Sequence, residues 1–296
     1  MDSRIDVARE LAPSVAFLKS HIPSQHPSAL VLGQERLGSG VVVEEDRVLT
    51  ASYLVLGASD VEVTFLDGRA KAAKRVALDH ETGLALLSVE GTPSPPVVLD
   101  HLESVRPGLP VFILTSTGAS ERKGATGHVS RVEPFEAFWE YMLDRAIFTT
   151  AINPGLAGAP LFSPRGRLLG IVSLGLVAVG RYSLAIPSDL YWSHRGELEG
   201  ELPGAAPRAW VGFYPQACDG SIVLAGVVPS GPADQAGLLQ GDFVLSVNGE
   251  PVSSLRGIYT EIWRHGPGDR IGFQILRESS IRVVEVVAGE RAVFYK

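Results

Sequence analysis

From about residue 29 onward, apolar positions alternate with polar ones in short runs, and Gly, Pro or Asp breaks each run. A period of two puts one face of a strand into a core, so this rhythm predicts strands and tight turns. The segment SGVVVEEDRVLTA (39–51) predicts two β-branched strands turning at Glu45–Asp46. VEVTFLDGRA (61–70) predicts a strand that ends in an Asp67–Gly68 turn. LALLSVEG, LPVFILTST, TGHVSRVEP and AIFTTAI continue the pattern at intervals that suit a barrel or a sandwich. The longest apolar stretch, 168–180, is too short to span a bilayer and is rich in Gly and β-branched residues. It predicts a buried strand. SLAIPSDLYWSHRGEL predicts a last strand followed by a closing helix. At the N-terminus, Val7, Leu11, Val15 and Leu18 fall near helical spacing and predict a short amphipathic helix.

The pattern lapses at 196–207, GELEGELPGAAP, where prolines, glycines and glutamates predict a linker between a domain at 1–195 and another at 208–296. In the second domain, Asn248–Gly249 predicts a two-residue hairpin turn, because both positions favour positive φ. Ser253 or Ser254 caps the predicted helix SLRGIYTEIWRHG.

Composition narrows the function classes. Of the 296 residues, 45% are hydrophobic and 20% charged, as in an ordinary globular protein. A net charge of −7 without a basic block argues against a nucleic-acid surface. The one cysteine, Cys218, excludes an intramolecular disulfide framework. The histidines are scattered without metal-site spacing, so neither a metal nor another cofactor is expected. The first ten residues are charged throughout and have no signal-like apolar core.

Five stretches carry a resemblance together: GSGVVVEEDRVLTASYLV, DHETGLALLSV, AINPGLAGAPLFSPRGRLLGIVSL, YSLAIPSDL and SIVLAGVVPSGPADQAGLLQGDFVLSVNGEPV. In this order the chain resembles the HtrA/Deg serine proteases along nearly its whole length. The resemblance implies a mostly β fold: a chymotrypsin-like double β-barrel, then an α/β PDZ domain. It also implies three catalytic positions, all altered here. The family's general-base histidine corresponds to Tyr53 in Thr50-Ala51-Ser52-Tyr53, its aspartate to Gly83 in Thr82-Gly83-Leu84-Ala85, and its serine to Ala157 after Gly155-Leu156.

Chemistry gives these replacements their meaning. A methyl group cannot attack a carbonyl, so Ala157 removes the acyl-enzyme route. A tyrosine, with an ordinary pKa of about 10, is a poor proton acceptor near neutral pH. Gly83 has no side chain to orient a base. The backbone N–H groups of Gly155 and Ala157 remain as a vestigial oxyanion pocket. Such a pocket with binding leaves roughly 10³–10⁴-fold over water, too little for a peptide bond. A rearranged catalytic set stays open as the alternative, with Asp79, His80 and Ser52 close by in sequence. Their blander reading is as surface turn residues.

The PDZ-like module shows no comparable loss. The resemblance assigns carboxylate binding to the X-Φ-Gly-Φ stretch Trp210, Val211, Gly212, Phe213. Glycine suits this loop because a carboxylate must approach converging N–H groups closely. Ile258 and Ile262, spaced i, i+4, either line the peptide pocket or pack in the core. The expectation is an inactive HtrA-like pseudoprotease that binds peptides or protein C-termini as a scaffold or regulator. The resemblance further implies partnership with active HtrA-type paralogues and a homotrimer. Location stays open: cytoplasmic as written, or extracytoplasmic if an export segment is missing.

Overall fold

The computed structural model describes residues 3–176, 180–199 and 206–296. Of these, the residues up to Pro134 and those from Leu143 to Glu199 pack as one unit; Phe135–Met142 and residues 206–296 pack as a second.

In the first unit, the alternating runs become β1 (Val15–His21), β2 (Glu35–Glu44), β3 (Arg47–Ala51), β4 (Asp60–Thr64), β5 (Ala70–Ala72), β6 (Arg75–Leu78) and β7 (Leu84–Ser88). They pair in the order β5-β4-β1-β2-β3-β7-β6. β2 and β3 form the hairpin expected around Glu45–Asp46, with Val41 opposite Leu49 and Val42 opposite Val48. Asp46 takes the left-handed turn position, at φ 59°. Val41, Val42, Val48 and Leu49 are fully buried, and each such side chain contributes roughly 1.5–3 kcal/mol by leaving water.

A second set of strands follows: β8 (Pro110–Ser116), β9 (Arg122–Ala137), β10 (Tyr141–Thr149), β11 (Pro160–Phe162), β12 (Leu168–Leu176) and β13 (Tyr182–Pro187). This set closes into a barrel in the order β10-β13-β12-β11-β8-β9. Val111, Ile113, Ile147, Leu161, Leu169 and Val172 fill it. The buried strand expected at 168–180 is β12, ending at Leu176; residues 177–179 lie outside the described set.

Two expectations for this unit need correction. The N-terminal helix α1 is Ser3–Leu11, and Val15 and Leu18 belong to β1 instead. Pro13 lies in a short 3₁₀ turn between them, where it cannot donate to a continuing helix. A short α2 (Pro27–Leu32) precedes β2, and α3 (Asp189–Glu199) follows β13. α3 takes in the first four positions of the predicted linker, 196–199, because Leu198 is buried. Residues 200–205 of that linker lie outside the described set.

The second unit contains β14 (Phe213–Cys218), β15 (Ser221–Val227), α4 (Pro232–Ala236), β16 (Phe243–Val247), β17 (Glu250–Pro251), α5 (Leu255–Ile262), β18 (Arg270–Arg277), β19 (Ser280–Val287) and α6 (Arg291–Phe294). Its sheet runs β14-β15-β16-β18-β19, with β17 on β16, so β14 is a terminal strand. Asn248 (φ 50°) and Gly249 (φ 88°) turn β16 into β17, as the hairpin reading expects. Ser254 is the residue that caps α5, accepting from Gly257 N at 3.0 Å.

Residues 135–142 carry the tip of the β9–β10 hairpin, yet they pack with this second unit. The sequence boundary at 195 therefore misses one segment of the second unit.

Candidate functional site

The segments that carry Tyr53, Gly83 and Ala157 are linked in the first unit by a short chain of hydrogen bonds. Ser39 N donates to Ala157 O at 2.7 Å, and Thr50 Oγ1 donates to Ser39 O at 2.7 Å. Ser52 N donates to Gly83 O at 2.8 Å. The Tyr53 hydroxyl is spent on Ser173 O, to which it donates at 2.8 Å. Burial pushes that phenol up to about 12, which leaves it protonated and unfit to accept a proton near neutral pH. Gly83 stands at φ +77°, a left-handed conformation that side-chain-bearing residues seldom adopt.

The elbow itself is held by its own side chains. Asn153 Nδ2 donates to Leu156 O at 3.0 Å, and Gly155 N donates to Asn153 Oδ1 at 3.3 Å. That second bond engages the N–H of Gly155, one of the two donors in the oxyanion reading, within the turn. Thr115 Oγ1 also donates to Leu156 O, and Ser116 N donates to Ser39 Oγ. The hydroxyls at this seam thus bind carbonyls, an amide and one another.

Of the alternative set, Ser52 and Asp79 are linked through the backbone of Gly83, whose carbonyl accepts from Ser52 N at 2.8 Å and whose N–H donates to Asp79 O at 3.0 Å. Asp79 accepts from the backbone N–H groups of Glu81 and Thr82, and His194 Nδ1 of α3 lies 3.1 Å from its Oδ2. Asp79 therefore organises its own turn. One imidazole does sit beside a hydroxyl: His26 Nδ1 and Ser28 Oγ are 2.8 Å apart. Both residues are buried, His26 caps α2, and Ser28 Oγ donates to Leu56 O while accepting from Arg36. This pair is a helix cap and presents no open hydroxyl. Cys218 is exposed at the end of β14. Among the described residues, no group of three or more His, Cys, Asp or Glu is placed to hold a metal ion. No helix among them is long and apolar enough to cross a membrane.

In the second unit, the stretch from Trp210 to Phe213 builds a concave run of donors. Trp210 and Gly289 pair their backbones reciprocally, and the indole packs on Phe294 and Tyr295. Val211 O accepts from Ala233 N and Gly212 O from Val228 N, each at 2.8 Å, so the carbonyls face the domain. Gly212 stands at φ +78°, where an added Cβ would lie 3.0 Å from the Trp210 ring. The N–H groups of Val211, Gly212 and Phe213 then converge on one carboxylate, that of Glu140, at 3.2, 2.7 and 3.3 Å. Successive N–H groups around a positive-φ glycine make such an anion-binding nest.

Glu140 is the functional residue that the sequence reading missed. It sits at φ 53° in the tip of the β9–β10 hairpin, almost fully buried. Burial pushes its carboxyl up to about 7, while the three amide donors and the Arg291 guanidinium pull it down. The sequence signal was the aromatic-rich PFEAFWEYML, an unusual composition for a hairpin tip.

Ile258 and Ile262, the two candidate pocket residues, are fully buried in the core with Phe213, Phe273 and Ile275. The α5 side chains that reach the hairpin tip are Arg256, paired with Glu136 at 2.8 Å, and Tyr259, whose hydroxyl donates to Ala137 O at 2.6 Å.

A trypsin-like architecture with a separate six-stranded sheet carrying a carboxylate nest defines a peptidase-type fold with a PDZ module. Comparison with known proteins agrees. Residues 38–171 match the trypsin-like peptidase domain family and residues 209–287 the PDZ domain family. The chain is 30% identical over 285 residues to a "Probable periplasmic serine endoprotease DegP-like" of Halomonas elongata, covering 89% of this chain and 59% of that protein. A protein of the same description from Ectopseudomonas mendocina is 28% identical, covering 92% of this chain and 61% of its own length. The chain thus spans about three fifths of the curated relatives it matches. Among solved structures, "HtrA-type protease AlgW with decapeptide" is 25% identical with a TM-score of 0.59, covering 97% of this chain and 98% of that one. The serine endoprotease from Yersinia pestis shares the fold at a TM-score of 0.59 and 24% identity, covering 98% of each chain. This chain is an HtrA-family protein, mostly β, with a trypsin-like peptidase domain followed by a PDZ domain.

Proposed function

We propose that this HtrA-family chain is a pseudoprotease that binds free C-terminal carboxylates through its PDZ module and acts as a scaffold or regulator. One observation carries the binding half: the N–H groups of Val211, Gly212 and Phe213 converge on a single carboxylate. A peptide's terminal carboxylate has the same donor requirement, and its strand would add to the terminal strand β14. The similar AlgW structure is that of an HtrA-type protease with a decapeptide, which supports a peptide role for the shared fold. The inactive half rests on Ala157, on a Tyr53 hydroxyl bonded to Ser173 O, and on Gly83, none of which supplies a nucleophile or a neutral-pH base.

Binding by a strand's main chain plus one or two apolar side chains, worth roughly 1.5–3 kcal/mol each before ordering costs, corresponds to micromolar affinity. Paired libraries of one sequence set, with free and with amidated C-termini, test the reading. Capture of the free-carboxylate set alone is the expected result. Equal capture of both sets would rule out carboxylate recognition.

A further inference from the structure

The nest that would receive a partner's C-terminus already holds a carboxylate of this chain. Glu140 Oε1 accepts from Gly212 N at 2.7 Å and Phe213 N at 3.3 Å, and Oε2 accepts from Val211 N at 3.2 Å. The rest of the hairpin tip is clamped around it. Tyr259 Oη accepts from Glu140 N at 3.1 Å and donates to Ala137 O. Arg291 Nη1 donates to Glu140 O at 3.2 Å, and Arg256 pairs with Glu136. Phe138 meets the Tyr214 ring on β14 edge-on, with centroids 6.3 Å apart. The tip therefore touches the loop, the edge strand and α5, which are the surfaces a strand-added peptide needs.

Residue choice at the tip points the same way. Glu140 is held at φ 53°, which is uncommon for a residue with a long side chain. That backbone twist is compatible with aiming the side chain into the nest while its own N–H reaches Tyr259. A carboxylate buried this deeply loses hydration, and only the three amide donors and nearby Arg291 offset the loss.

We infer that the β9–β10 hairpin tip is an intramolecular pseudo-ligand: Glu140 occupies the PDZ carboxylate site, and a partner's free C-terminus must displace it to bind. The inference rests on the peptide-binding reading above and adds regulation to it. Apparent affinity is lowered by the fraction of molecules in which the tip is docked, so removing the plug raises affinity without adding any contact. Anything that engages the β9–β10 hairpin then opens the groove, and by reciprocity peptide binding releases the hairpin.

Glu140→Ala and Tyr259→Phe separate the contributions. The first removes the carboxylate; the second keeps the nest intact and removes only the clamp on the tip. Each variant and the native full chain are checked by thermal melting, then titrated with a fluorescent library of decapeptides bearing free apolar C-termini and with its amidated twin. Glu140→Ala is expected to bind the free-carboxylate library at least ~10-fold more tightly than the native chain, and Tyr259→Phe several-fold more tightly. Amide exchange at Val211, Gly212 and Phe213, measured without peptide, is expected to accelerate in both variants. Equal affinities with unchanged exchange would overturn the plug and leave the peptide reading standing. Accelerated exchange with no peptide bound by any form would keep the plug and overturn the peptide reading.

Discussion

Gly158→Ala is expected to destabilise the peptidase-type unit by about 3–5 kcal/mol, the sum of left-handed strain and an unavoidable overlap. Gly158 stands at φ +80°, and a Cβ there would lie 2.1 Å from Ser39 O and 2.4 Å from Thr50 Oγ1. Neither neighbour has room to withdraw. Ser39 O accepts the Thr50 hydroxyl, and Ser39 N is tied to Ala157 O. For a unit of this size the melting temperature is expected to fall by roughly 10 °C, read by calorimetry or circular dichroism. Gly155 is constrained in a second way, since its Cβ would sit 2.7 Å from Thr115 Cγ2 and 2.8 Å from Thr117 Cγ2. These two glycines let the turn around Ala157 close against β2 and the Thr115–Thr117 segment, so the turn's shape has a structural reason to persist whatever residue stands at 157. A melting temperature unchanged within 2 °C or so would contradict this account.

Arg36→Leu is expected to cost a similar amount, about 3–5 kcal/mol, through the acceptors it leaves without donors. Arg36 is 6% exposed, and its guanidinium donates to the carbonyls of Gly33, Tyr53, Leu56 and Ser28 and to Ser28 Oγ. Burial lowers its pKa to about 10, still protonated near neutral pH, so all of these bonds carry charge. It ties α2 to the turn that bears Tyr53, including a 2.6 Å bond to Tyr53 O. Urea denaturation of the variant checks the loss. Arg36→Lys is expected to recover only part of it, because an ammonium has no planar fork to reach both sides of the turn.

Much of the peptidase-type fold was legible because its strands alternate cleanly and its turns carry their chemistry locally. The β2–β3 hairpin, the Asn248–Gly249 turn and the Ser254 cap each follow from a few adjacent residues. Errors arose where distant contacts decide. Val15 and Leu18 satisfy helical spacing with Val7 and Leu11, yet pairing with β2 and β4 makes their segment a strand. The helix α3 runs past its interior Gly196 because Leu198 has a buried place to go. Ile258 and Ile262 share one face of α5, but their spacing does not say whether core or groove lies opposite. The aromatic-rich PFEAFWEYML marks Glu140's segment as unusual but not its role, because its three donors lie some seventy positions further along the chain.

The proposal that Tyr53, Gly83 and Ala157 stand where a catalytic triad would act bears most directly on what this protein does. Seam hydroxyls bind carbonyls and each other, and the His26–Ser28 contact is a buried helix cap. Turnover of fluorescent casein by the full chain, alongside labelling with a fluorophosphonate serine probe, measures the consequence. The account predicts a rate equal to the buffer blank and no labelled residue, for the native chain and for Ala157→Ser alike. Cleavage by the native chain that the probe abolishes, with the label on any hydroxyl of the first unit, would contradict it.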